Sequence, residues 1–146
     1  AESGKAVLRR VSRVWIAGDE IIDPNRYEVR DEWVWDHPVA VLYDRQTNTT
    51  RPIPTGSITD FSMLEDLTNL WELRLFAQPI TNLEGIQNLS RLSQFEAKFC
   101  PDLLDASALY TQQGLEEISL QFTGIHTIQG IQNLTAVCTN QNSTFG

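Results

Sequence analysis

The sequence predicts an α/β fold: a short right-handed solenoid of stacked repeats, with a parallel β-sheet on its concave side and a β-hairpin inserted near its N-terminus. Three observations predict it. The second half of the chain repeats with a period of about 22 residues. Apolar residues occupy the same positions in each repeat. Residues 22–57 interrupt the repeats with the apolar and polar alternation typical of strands.

The repeats begin at Ile58, Ile80, Leu103 and Ile125. Seven apolar positions define the first unit, at Ile58, Phe61, Leu64, Leu67, Leu70, Leu73 and Leu75. The second unit supplies the matching residues Ile80, Leu83, Ile86, Leu89, Leu92, Phe95 and Ala97. The second and fourth units also share the pattern Ile-x-x-x-x-Gly-Ile-Gln-Asn-Leu, at residues 80–89 and 125–134. Because a repeat buries its apolar side chains only against its neighbours, we expect these columns to form one core.

The L-x-x-L-x-L-x-x-N/C-x-I rhythm of residues 58–137 resembles the 22-residue leucine-rich repeats of the internalin-like and phosphatase-regulator-like bacterial class. The resemblance implies a leucine-rich-repeat solenoid whose concave face recognises a partner protein. It also implies buried polar side chains that hydrogen-bond turn backbone between repeats, in a column formed by Asp19, Gln78, Cys100 and Thr123. Asn-x-Ser/Thr triplets such as the one at Asn88 arise from the repeat itself.

The same rhythm recurs near the N-terminus as Val11-x-x-Val14-x-Ile16-x-x-Asp19-x-Ile21. We therefore predict one domain over residues 1–146. Its parts are a first repeat strand in residues 1–21, a hairpin and loop insertion in 22–57, repeats in 58–137 and a C-terminal cap or tail in 138–146.

Within the insertion, Tyr27, Val29, Trp33 and Trp35 alternate along a first strand, residues 36–38 form the turn, and Val39, Val41 and Tyr43 alternate along a second. Residues 48–50 and 52–57 are predicted to be loop because they are polar and contain Pro and Gly. We expect the aromatic side of the hairpin to pack on the end of the solenoid. An aromatic platform that binds sugar rings is the alternative for Tyr27, Trp33, Trp35 and Tyr43.

Alternate side chains of the repeat strands must point away from the core. The outward side chains include arginine and aromatic residues, which are the residue types that dominate protein interfaces. The candidate partner-binding residues are Arg13, Trp15, Glu72, Arg74, Phe76, Glu96 and Lys98. Arg13 is predicted to face Glu72, and Arg74 to face Glu96. The alternative is that these charges only keep the sheet face soluble, since exposed pairs contribute only about 0–1 kcal/mol each.

Two further pairs follow from the repeat. Phe99 and Phe122 occupy equivalent positions just after their strands, so we expect their rings to stack, either packed against a loop or exposed as an anchor. Cys100 is expected to be a buried structural thiol. Its offset from Cys138 is roughly 10 Å or more, against the less than about 7 Å between Cα atoms that a disulfide requires, so no bridge between them is predicted.

No catalytic, metal-binding or cofactor-binding pattern is recognisable. Of the two histidines, His37 falls in the hairpin turn and His126 in the variable part of a repeat, so neither is expected to be catalytic, and phosphate-binding glycine motifs are missing. Eleven basic and 19 acidic residues give a net charge of −8, which disfavours binding to nucleic acid or to anionic membranes. No apolar stretch approaches 18 residues, so membrane insertion is not expected.

We therefore expect a protein that is not an enzyme and that binds a protein partner through the concave face. A structural or sensory ectodomain of a larger exported protein is one alternative, and carbohydrate binding through the hairpin is another. The opening Ala1-Glu2-Ser3-Gly4 suggests either a processed mature end or an excised piece of a longer chain, and with the resemblance it favours an extracellular or cell-surface bacterial protein. The sequence leaves the partner's identity and the oligomeric state open.

Overall fold

The computed structural model describes residues 10–112, 114–125 and the backbone of 137–138. It contains two β-sheets. The strands in chain order are β1 (Arg13–Ala17), β2 (Glu20–Ile22), β3 (Tyr27–Val34), β4 (His37–Asp44), β5 (Thr49–Pro52), β6 (Glu72–Phe76), β7 (Gln94–Lys98), β8 (Glu117–Ser119) and β9 (Val137–Cys138). The larger sheet has the order β2-β1-β6-β7-β8-β9, and all its neighbours except β2 and β1 are parallel. The smaller sheet has the antiparallel order β3-β4-β5.

The predicted fold class, an α/β leucine-rich-repeat solenoid, is wrong, because the described chain is mostly β, with few helical residues and a separate antiparallel sheet. In the described residues, helical structure is limited to the short 3-10 helices Phe61–Leu64, Ile86–Asn88 and Ser107–Thr111. The sequence gives the physical reason. Buried residues of the connecting segments recur at every third position, as in Leu83, Ile86 and Leu89, and three residues is the period of a 3-10 turn and not of an α-helix.

One core lies against the larger sheet and contains the predicted apolar columns. All seven positions of the first two units are buried. Parallel pairing places Leu73 beside Phe95 and Leu75 beside Ala97, so side chains of equivalent positions stack from strand to strand. Burial of each such aliphatic or aromatic side chain contributes about 1.5–3 kcal/mol, and the columns are therefore the main source of stability.

The predicted polar column is confirmed at Gln78, which is fully buried. Its Nε2 donates to the carbonyl oxygens of Gly18 at 2.7 Å and Phe76 at 3.1 Å, and its Oε1 accepts from the backbone N–H of Ile58 at 3.1 Å. One amide therefore joins three separate backbone segments. The prediction is wrong for Asp19, which is exposed and accepts a bond from the Ser57 hydroxyl.

The N-terminal repeat ends after its strand. The chain turns at Gly18, whose φ of 60° lies in the left-handed region, and β2 runs back antiparallel to β1. Ile21 was expected in a buried column but is 71 % exposed, and Ile22 is buried instead. A shift of one residue along a strand exchanges its two faces, which accounts for the error.

The insertion folds as a three-stranded sheet rather than as a hairpin and loop. Thr49, Thr50 and Pro52, which were predicted to be loop, lie in β5. The turn between β3 and β4 is formed by Trp35 and Asp36, one residue earlier than predicted. Tyr27 and Val29 pack against the larger sheet as expected. Packing was also expected for Trp33 and Trp35, but they are 64 % and 95 % exposed, because the hairpin extends beyond the surface that it covers.

Candidate functional site

The candidate site is the polar face of the larger sheet, which we define as the side opposite the core. Three rows of side chains cross it. The first row runs from Arg13 through Glu72 and Gln94 to Glu117, the second from Trp15 through Arg74 and Glu96 to Ser119, and the third from Ala17 through Phe76 to Lys98. The predicted facing of Arg13 with Glu72 and of Arg74 with Glu96 is confirmed.

Glu72 organises the first two rows. Its side chain is only 4 % exposed, and its Oε2 accepts bonds of 2.5 Å from Arg13 Nε and from Trp15 Nε1. Its Oε1 lies 3.5 Å from Arg74 Nη2. Burial opposes ionisation, but the bonds from Arg13 and Trp15 and the charge of Arg74 outweigh it and hold the pKa of Glu72 below its ordinary value. Glu72 is therefore a carboxylate at neutral pH.

Arg74 lies in the middle of the polar face, with its guanidinium surrounded by acceptors. It lies 3.2 Å from Glu96 Oε1, 3.3 Å from Gln94 Oε1 and 3.9 Å from Glu117 Oε1. The guanidinium carbon is also 5.2 Å from the ring centroid of Trp15, within the range of a cation–π contact. The Nε atom of Arg74 is buried and has no hydrogen-bond partner in the described part of the chain.

The smaller sheet covers the third row. Phe76 is 2 % exposed and packs with Ala17, Ile22 and Leu42, while Trp15 borders the same cluster. Phe76 was predicted to contact a partner, but it is buried within the protein and cannot be a surface anchor. The Nζ of Lys98, another predicted site residue, lies 3.6 Å from Asp31 Oδ1 of β3. Its charge is therefore directed towards the smaller sheet.

Burial of Phe76 and the contact of Lys98 with Asp31 leave only the first two rows as the open part of the polar face, which is therefore smaller than predicted. Arg13 and Glu117 are its most exposed charged side chains, at 43 % and 39 %. Gln94 and Glu117 also lie on this face, although neither is among the predicted partner-binding residues. Nothing in the sequence indicates the contact of Asp31 with Lys98, because that contact depends on how the insertion packs.

Phe99 and Phe122 stack as predicted, with ring centroids 4.8 Å apart and planes inclined by 20°. Both residues have left-handed backbone conformations, with φ of 58° and 56°, and Ala77 has the same conformation one strand earlier. Such conformations are costly for bulky residues. The two rings are half-buried and line a cleft of about 570 Å³ between the larger sheet and β4.

Cys100 is fully buried, and burial raises the pKa of its thiol to about 11. Its Sγ lies 3.5 Å from the carbonyl oxygen of Lys98, which is a structural contact. The side chain of Cys138, the expected absence of a bridge to it, and His126 all fall outside the described side chains. His37 is exposed at the start of β4.

Among the residues that the structure describes, no group of three or more His, Cys, Asp or Glu is arranged to hold a metal ion. The described helices include none that is long and apolar enough to cross a membrane.

The four aromatic residues of the hypothetical sugar platform are not brought together. Tyr27 pairs with Asp44 at one end of the hairpin, and Trp33 pairs with Pro38 near the other, about 20 Å away along β3. Tyr43 lies beneath the guanidinium of Arg30, 3.8 Å from its carbon.

Comparisons with protein-family models, with curated proteins and with solved structures found no match for this chain. Inference about function therefore depends on the site itself.

Proposed function

We propose that the protein is a noncatalytic binding module that recognises a protein partner through the open part of the polar face. The observation that carries the proposal is the arrangement around Glu72. This one buried carboxylate holds Arg13, Trp15 and Arg74 in fixed orientations. Arginine and tryptophan dominate protein interfaces, and side chains that are already ordered lose less entropy when a partner binds.

The environment of Arg74 supports the same conclusion. Its buried, unpaired Nε costs about 1–3 kcal/mol, which an apolar side chain at this position would not lose. The charge of Arg74 offsets part of this cost, because it helps keep the buried Glu72 ionised. The flanking carboxylates Glu96 and Glu117, with the net charge of −8, favour a partner whose contact surface is basic or of mixed charge. An extracellular or cell-surface location stays a prediction from the resemblance.

The proposal is tested with variants that change the exposed charges and keep the buried Glu72 with its bond from Trp15 and its contact with Arg74. Arg74→Glu is unsuitable, because it would place a fourth carboxylate among Glu72, Glu96 and Glu117. The double variant Arg13→Ser/Glu117→Ser removes one cation and one anion from the open part of the face. The control Arg91→Ser/Glu65→Ser makes the same change at exposed positions outside the polar face, where Arg91 bonds Asn69.

The intact chain and both variants are immobilised and exposed to extracts and surface fractions of the organism that produces the chain. We expect a protein that the intact chain and the control retain and that Arg13→Ser/Glu117→Ser releases. Retention of the same proteins by all three chains, or of none, would show that the polar face is not a recognition surface. Loss of the exposed charge of Arg13 or of Glu117 is expected to change the association rate more than the dissociation rate.

A further inference from the structure

The tip of the β3–β4 hairpin, which we define as residues 33–35, is the most exposed apolar feature among the described residues. It presents two tryptophans in succession around Val34, and Trp35 is 95 % exposed. Large apolar side chains gathered in one exposed patch mark interaction sites on soluble proteins. Folding gains almost no burial from Trp35, so its presence calls for a contact outside the protomer.

The backbone at the tip strengthens this argument. Trp35 has a φ of 60° in the turn that joins β3 to β4, a conformation that glycine or asparagine adopts at lower cost. The sequence therefore places its largest side chain where the backbone favours the smallest. Strained positions of this kind occur where function outweighs local stability.

The cleft beside the hairpin complements the tip. The stacked rings of Phe99 and Phe122 form one wall, Pro38 and Val39 of β4 form another, and Ile53 and Thr55 lie at its side. Its volume of about 570 Å³ lies within the range of sites that hold a compact apolar group. Among the described residues that line it, none is charged. A tryptophan side chain fits these requirements in size and chemistry.

We propose that two copies of the chain associate by exchanging tips, so that Trp35 of each copy enters the cleft of the other. The cleft begins at Pro38, three residues after Trp35, so a two-fold axis close to the hairpin brings both tips to both clefts at once. Such an isologous contact closes on itself and stops at a dimer. The proposal is independent of the proposed function, since the tip lies outside the polar face.

The available area is that of a weak dimer. Two tryptophans bury about 400 Å² per tip, and two tips with the cleft walls that receive them reach about 1,000 Å². This is the low end of the range for specific interfaces. The charge also predicts a specific behaviour. Each copy carries a charge of −8, and Glu32 and Asp36 flank the tip, so association strengthens as salt screens the repulsion.

Sedimentation equilibrium of the full chain, over a range from about 1 μM to 1 mM, tests the proposal. We expect a mass of twice 16.6 kDa at high concentration, with a dissociation constant that falls as salt increases. Trp35→Gly raises that constant by at least about 30-fold, the effect of losing a hot-spot residue, while its urea midpoint stays equal or rises because the strain is relieved. The control Ile21→Ser changes a side chain of similar exposure on β2 and leaves the mass unchanged.

A second variant identifies the receiving site. Thr55→Trp places an indole in the cleft from an exposed loop position and is expected to be monomeric. We expect Thr55→Trp to form a one-to-one complex with Trp35→Gly, because the intact tip of Thr55→Trp can enter the open cleft of Trp35→Gly. If Thr55→Trp still dimerises, the tips contact each other and the exchange is wrong. If the intact chain is monomeric at 1 mM, or if the mixture forms no complex, the proposal is overturned.

Discussion

Removal of Glu72 should lower stability more than removal of any other single carboxylate on the polar face. Glu72→Ala deletes two charge-assisted hydrogen bonds, and bonds to charged groups contribute about 1.5–3 kcal/mol each. Arg13 is 43 % exposed, so its share is close to that of a surface pair, at most about 1 kcal/mol. The bond from Trp15 is the larger loss, since the indole N–H then has no acceptor. We expect the free energy of unfolding to fall by about 3 kcal/mol.

Urea denaturation of Glu72→Ala and Glu96→Ala measures this difference. Glu96 is the matched control because it accepts a bond of 3.2 Å from Arg74 on the same face, and its loss should cost about 1 kcal/mol. The pKa of Glu72 is lowered in the folded protein, so the contribution of its carboxylate is fully present above the ordinary value of 4.5. It is lost as the pH falls through the lowered pKa. Equal losses for the two variants, or a Glu72→Ala effect that does not shrink as the pH falls below 4.5, would refute the network.

Two further predictions concern the polar column and the buried thiol. Gly56→Ala should destabilise the protein by about 2 kcal/mol, because an added Cβ would overlap the amide of Gln78. In the control Gly114→Ala the nearest atom to the added Cβ is 3.8 Å away, so stability should change by less than about 0.5 kcal/mol. Thermal unfolding of both variants measures the difference. In a Cys138→Ser background, Cys100 should react with a thiol reagent at pH 8 only as fast as the protein opens, because burial raises the pKa of its thiol to about 11. Rapid labelling of the native protein would contradict the burial of Cys100.

The columns and strand register could be predicted from the sequence because they are set by local periodicity. Alternation around Leu73 and Leu75 determines which side chains of β6 are buried, and the repeat spacing aligns β6 with β7. Repeat length alone did not predict the fold class correctly. The three-residue spacing of Leu83, Ile86 and Leu89 already indicated 3-10 turns in place of α-helices.

The candidate site was predicted less completely because it depends on contacts between distant segments. Sequence alternation places Phe76 on the polar face, but only the position of Leu42 in the smaller sheet shows that Phe76 is buried. The contact of Lys98 with Asp31 has the same origin. Trp35 illustrates the opposite error, since an aromatic residue in an alternating strand was expected to pack, and a turn one residue earlier than predicted exposes it.

Site-directed photo-cross-linking tests the binding role of the polar face most directly. A benzophenone side chain replaces Glu117 on the open part of the face in one protein and Glu65 outside that face in another, both at exposed positions. Both are irradiated with extracts and surface fractions of the producing organism. Recognition through the polar face predicts a cross-linked protein of discrete mass from the Glu117 position and not from the Glu65 position. The same products from both positions, or none from the Glu117 position, would contradict it.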